Sequence, residues 1–172
     1  GIEDVTSSIV RYNSSGIGIA ADCTGSNCSP DHAADNNYYD EYFMVTFDEA
    51  VALDTLRAGW AREDGNSQDE LDLTVAAWKP GVVNPGAPVI AGKQSNELQG
   101  AGWELLSHYA DVPQDTQHDL GNDVPIYATA WLIAPYQHDL TPAGSANDGF
   151  SVDNDYIKLE LVSAVLRDPT PP

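Results

Sequence analysis

Apolar and polar residues alternate with a period of two in several separate runs, and no stretch sustains a long amphipathic helical pattern. From Tyr42 the chain reads YFMVTF, an acidic break at Asp48-Glu49, VALDTLRAGW, a second break AREDGNSQDE, and LDLTVAAW. In the first run Phe43, Val45 and Phe47 share one face, with Tyr42, Met44 and Thr46 on the other. In the last, Leu71, Leu73, Val75 and Ala77 alternate with Asp72, Thr74, Ala76 and Trp78. The pattern predicts three successive half-buried strands in a meander, with Asp48-Glu49 as the first turn.

Further strands are predicted from the same signal. Val5–Tyr12 alternates and is followed by the break Asn13-Ser14-Ser15-Gly16 and then IGIAA. WELLSHY (103–109) and DYIKLELVSAV (155–165) alternate as well, whereas YATAWLIAPY (127–136) is almost wholly apolar and predicts a central strand buried on both faces. Residues 22–41, 79–102, 112–125 and 138–154 carry the turn and loop chemistry, with one short helical turn expected over 95–99. Seven or eight strands without a long helix predict an all-β, jelly-roll-like antiparallel β-sandwich. Residues 1–166 form one domain in this reading, 1–13 being a possible exchangeable N-terminal strand, and 167–172 a linker-like tail. A chain of 172 residues is long enough to bury roughly 70% of its unfolded surface in one core.

Charge narrows the partners. There are 27 acidic residues against 7 basic ones, a net charge of −20. Such a surface repels phosphate backbones and argues against nucleic acid. It suits saline water, a cation-loaded surface or a basic partner. No run approaches the roughly 20 apolar residues of a membrane helix. The chain opens on Gly1 rather than Met and reads as a mature or trimmed product.

Cys23 and Cys28 enclose the turn Thr-Gly-Ser-Asn. Two cysteines at this spacing make a poor zinc site, so a disulfide in an oxidising compartment is expected, worth about 2 kcal/mol for a loop this small. The loop that follows is dense in oxygen donors. Asp35, Asp40 and Glu41, joined by Asp153 and Asp155 if the last strand lies beside this loop, are a candidate calcium set; a solvated acidic loop is the alternative. Tyr38, Tyr39 and Tyr136 stand near loops and are candidate platforms for a glycan, while Trp60, Trp103 and Trp131 read as core. Val5, Ile9 and Tyr12 mark the run that could add to a neighbour's sheet edge.

Catalytic signatures are missing from the sequence. It holds no G-x-S-x-G and no H-E-x-x-H; Gly16 and Gly18 lack the rest of a nucleotide loop; and His32, His108, His118 and His138 are scattered. Carboxylate pairs decide nothing in a chain this acidic.

A family resemblance rests on motifs in a fixed order. These are F-x-V-x-F-D-x-A-V-x-L (Phe43 to Leu53), G-W (Gly59-Trp60), D-L-T-V-x-x-W (Asp72 to Trp78), G-W-E-L-x-x-H-Y (Gly102 to Tyr109), W-L-I-A-x-Y (Trp131 to Tyr136) and N-D-Y-x-K-L (Asn154 to Leu159). Over roughly residues 40–160 the chain resembles the exosortase-dependent, PEP-CTERM-type bacterial surface proteins. The resemblance implies an exported β-rich protein of the cell surface or extracellular matrix, and it carries no catalytic residues. The family's sorting tail is absent, although DPTPP stands where it would begin. The expected function is a non-catalytic structural protein of the surface or biofilm matrix. Its expected partners are itself, by strand addition into filaments, or matrix polysaccharide, with calcium as a possible cofactor. A jelly-roll carbohydrate-binding module is the alternative.

Overall fold

The computed structural model describes residues 9–20, 33–36, 40–63, 69–121, 125–140, 150 and 155–167. Among the described residues nine strands form in chain order: β1 (Ile9–Asn13), β2 (Gly16–Ala20), β3 (Ala34–Asp35), β4 (Phe43–Glu63), β5 (Glu70–Trp78), β6 (Trp103–Pro113), β7 (Gln117–Asp119), β8 (Ala128–Pro135) and β9 (Asp155–Leu166). One helical turn, α1 (Leu98–Ala101), continues a 3-10 turn at Ser95–Glu97, and a second 3-10 turn spans His138–Leu140. All paired strands are antiparallel, in the order β1-β2-β9-β4-β8-β5-β6, with β3 on β9 and β7 on β4. The protein is an all-β, sandwich-like fold.

β4 organises it. The first part, Phe43 to Val51, pairs with β8; the rest, Val51 to Glu63, pairs along its other side with β9. The two layers, β6-β5-β8-β4 and β7-β4-β9-β2-β1, therefore share one strand of 21 residues. Two expectations are corrected here. Asp48-Glu49 does not reverse the chain: between Thr46 and Val51 the β4–β8 ladder shifts register, so the acidic pair lies at the corner where β4 leaves one layer for the other. Strands that change sheets do so at bulges and bends, and polar residues suit a corner as well as a turn. Nor is 42–78 a meander, because β8 lies between β4 and β5. Further slips follow in the β4–β9 ladder, at Leu53/Thr55, Arg57/Ala58 and Ala58/Trp60.

The main core fills the space between the layers. It gathers Leu71, Leu73, Val75 and Ala77 from β5, Trp131 and Ile133 from β8, Leu56, Ala58 and Ala61 from β4, and Ile157 and Leu159 from β9. A second cluster lies on the opposite face of β5 and β8, where Ala76, Trp78, Ala130 and Leu132 are covered by Leu98, Trp103 and Leu140. That cover explains why every residue from Leu71 to Trp78 is buried, and why β8 reads as a nearly continuous apolar run. Trp78 and Trp103 pack tilted at 5.2 Å, and the Trp103 indole N–H donates to the Val89 carbonyl at 3.1 Å.

The β1–β2 hairpin closes the edge of the second layer. Its turn lies tight against the layer: a Cβ on Gly59 of β4 would meet the Ser15 carbonyl oxygen at 2.2 Å, so only glycine admits this approach. Among the described residues no helix is long and apolar enough to cross a membrane.

Candidate functional site

The polar residues that the fold buries converge at the end of the sandwich where β9 begins. Asp155 is fully buried. Its Oδ1 accepts the Asp72 backbone N–H at 2.8 Å, and its Oδ2 accepts the Asn36 amide at 3.3 Å. The Asp155 N–H donates back to Asn36 Oδ1 at 2.9 Å, and the Asn36 amide also donates to the Tyr136 carbonyl at 2.8 Å. Tyr136 N–H closes the ring on the Asp72 carbonyl at 3.0 Å. Four strand ends, from β3, β5, β8 and β9, are thereby tied together.

Electrostatics sets the state of this clasp. Burial pushes the Asp155 carboxyl up to about 7, with the Asp72 and Glu63 charges adding to the rise and the Asp72 N–H and Asn36 bonds opposing it. Near neutrality Asp155 is thus partly protonated. Asp72 is itself buried, and its Oδ1 accepts the Asp111 N–H at 3.1 Å where β6 slips past Leu71 and Leu73 and Asp111 takes a left-handed φ of 52°. Beside it, Glu63, Glu70 and Asp111 bring carboxylate oxygens within 4.8 Å of one another. This trio has the hard-oxygen chemistry that cations take, though exposed acidic groups also gather without an ion. The sequence reading missed the trio because Glu63 and Glu70 flank a polar break that it treated as turn.

A second polar chain runs through the β6-β5-β8-β4 layer. His108 Nδ1 and the Thr74 hydroxyl are 2.8 Å apart, and Thr74 accepts the Gln137 N–H at 2.8 Å. The Tyr42 hydroxyl donates to Gln137 Oε1 at 3.1 Å, and the Ser95 hydroxyl donates to Asp40 Oδ2. Burial, reinforced by Asp40, holds the Tyr42 phenol far above its usual range, so it remains a donor.

The expected site residues fall as follows. Asp35 and Glu41 close a small loop on each other, the Asp35 N–H donating to Glu41 Oε2 at 3.0 Å and the Glu41 N–H to the Asp35 carbonyl at 3.2 Å. β3 does pair beside the start of β9, with Asp35 opposite Tyr156. Asp40 accepts the Ser95 hydroxyl, and Asp155 accepts the Asn36 amide and the Asp72 N–H. Asp153 lies outside the described residues, as do Cys23, Cys28, Tyr38, Tyr39 and Val5. Tyr136 is corrected as an open platform: it is 3% exposed, with the Phe150 ring stacked on it at 4.9 Å and His108 at its edge, because β8 runs through the middle of its layer. Trp103 and Trp131 are core, as read, and Trp60 is half-buried against Tyr156 at 6.4 Å with the Lys158 ammonium 5.5 Å from its ring. Ile9 and Tyr12 lie on β1, opposite Ala20 and Ile17 of β2.

No family model, no curated protein and no solved structure matches this chain.

Proposed function

We propose that the chain is a non-catalytic structural protein of a bacterial surface or matrix, exported, and assembled with its own kind by strand addition through the N-terminal hairpin. One observation carries the reading. Among the described residues β1 pairs with β2 alone, and the β2–β9 ladder consists of a single register pair, Ile17 with Leu159. A hairpin joined to the body by so short a ladder is the element we expect to exchange, and repeated head-to-tail exchange gives an open polymer. The motif order, which resembles that of exosortase-dependent surface proteins, and the net charge of −20 support a solvated, exported setting. Tyr136, one of the platform candidates of the carbohydrate alternative, is buried.

Negative-stain microscopy of the full chain beside a chain lacking residues 1–13 tests the proposal. Filaments from the first and folded single particles from the second are expected. Single particles from both, at the highest soluble concentration, would overturn it. The same preparations in calcium and in chelator show whether the ion takes part.

A further inference from the structure

Thr74, in the middle of β5, has the neighbours of a nucleophile. Its hydroxyl is 2.8 Å from His108 Nδ1 and accepts the Gln137 N–H, also at 2.8 Å. With that bond accepted, the hydroxyl proton is left to point at the imidazole, the pairing in which a histidine activates a hydroxyl. His108 stands opposite Thr74 in the β5–β6 ladder, and its ring packs against Tyr136 at 4.8 Å and Phe150 at 5.6 Å. Gln137 supplies an electrophile at the same place. Its carboxamide oxygen accepts the Tyr42 hydroxyl at 3.1 Å, whereas its amide Nε2 is buried with no hydrogen-bond partner. Thr74 and Gln137 are each 1% exposed. A buried amide nitrogen without an acceptor is destabilising, and this one is attached to a carbonyl carbon that Tyr42 polarises.

We propose that Thr74 and Gln137 join in an ester bond, formed once per chain by the folded protein itself. The residue that donates its N–H to Thr74 also carries the carboxamide, so rotation within the Gln137 side chain brings Cδ onto the hydroxyl oxygen. Thr74 Oγ1 attacks Cδ while His108 takes the hydroxyl proton. The Tyr42 hydroxyl holds the oxygen on which negative charge develops. The C–N bond then breaks, the proton passes from His108 to the departing nitrogen, and ammonia leaves. A hydroxyl and a primary amide become an ester and one ammonia, with no oxidant, metal or water consumed. The unpartnered nitrogen disappears with the leaving group, and burial keeps water from hydrolysing the product. The ester closes a covalent loop around β6, β7 and β8. It does not involve β1, so it holds or fails independently of the strand exchange above.

Intact mass and peptide mapping of the full chain, with its cysteines reduced, test the proposal. The expected mass is one ammonia below that of the sequence. Trypsin cuts after Arg62, Lys93 and Lys158 and spares Lys79, which precedes a proline, so Thr74 and Gln137 fall on the separate peptides 63–93 and 94–158. These are expected as one linked species that hydroxylamine, which opens esters, separates. Thr74→Ser retains a hydroxyl and is expected to link, while Thr74→Val and His108→Gln are expected at full mass with the two peptides apart. An unsubstituted chain of full mass with unlinked peptides would overturn the proposal without any variant. An ammonia loss that persists in Thr74→Val, or linkage in His108→Gln as complete as in the unsubstituted chain, would overturn it as well.

Discussion

The buried carboxylate of Asp155 accepts the backbone N–H of Asp72 at 2.8 Å, and this one bond crosses from the layer of β9 to that of β5. The acceptor is an acid held by burial at about 7, next to a second buried acid. Stability therefore depends on pH in a definite direction. The folded state retains a proton between the ordinary value of 3.8 and about 7, where the unfolded chain has released it. The contribution of Asp155 is greatest below that window and is lost as pH rises through it, by roughly 1 to 4 kcal/mol. Asp72→Asn removes a neighbouring charge while its side-chain oxygen still accepts the Asp111 N–H. A carboxyl titration of Asp155 by NMR is expected to give a midpoint near 7 in the unsubstituted protein and a lower one in the variant. Equal midpoints would remove Asp72 as a cause.

Asn36 satisfies three groups at once: the Asp155 N–H, the Asp155 carboxylate and the Tyr136 carbonyl. Asn36→Ala leaves them buried without this partner. Urea denaturation is expected to show a loss of about 2 to 4 kcal/mol, as for other buried polar groups stripped of a bond. A loss below about 0.5 kcal/mol would mean that water replaces the amide freely.

Gly59→Ala puts a methyl group where the Ser15 carbonyl lies, 2.2 Å from its oxygen. Because Ser15 belongs to the hairpin turn, the strain is expected to lift β1 and β2 and leave the β4–β9 ladder in place. Hydrogen exchange should speed up over residues 16–20 and stay slow over 155–159, with a total cost of about 1 to 3 kcal/mol. Uniform acceleration across the sheet would show that the hairpin is not a separate unit.

Leu98→Ala opens the second cluster, where Leu98 is fully buried with Trp78, Trp103 and Leu132. A loss of about 2 to 4 kcal/mol is expected, with a change in tryptophan emission. If stability is untouched, the segment 79–102 does not seal that face.

Much of the strand pattern was legible because it rests on period two. Phe43, Leu71, Leu73, Val75 and Ile157 all face the core, and the apolar run around Trp131 is the doubly buried strand that its composition announced. The short helical turn near Ser95 was legible from its loop chemistry. What could not be read was which polar break reverses the chain. Asp48-Glu49 and the break after Glu63 look alike in sequence, yet one is a corner within β4 and the other ends it. The clasp stayed hidden for a related reason. Asn36 and Asp155 are 119 residues apart, and Asp72 sits in an alternating strand as an apparent solvent-facing residue. Only the pairing of β3 with β9, and the crossing of β5 over that end, reveals them as buried partners.

A strand that belongs to both layers also limits how the protein can come apart. Peeling away either layer drags β4 with it and breaks ladders on the remaining side, so half-open forms give up pairing in both directions at once. That coupling keeps the inner tryptophans, Trp78, Trp103 and Trp131, out of reach of proteases until both layers yield together.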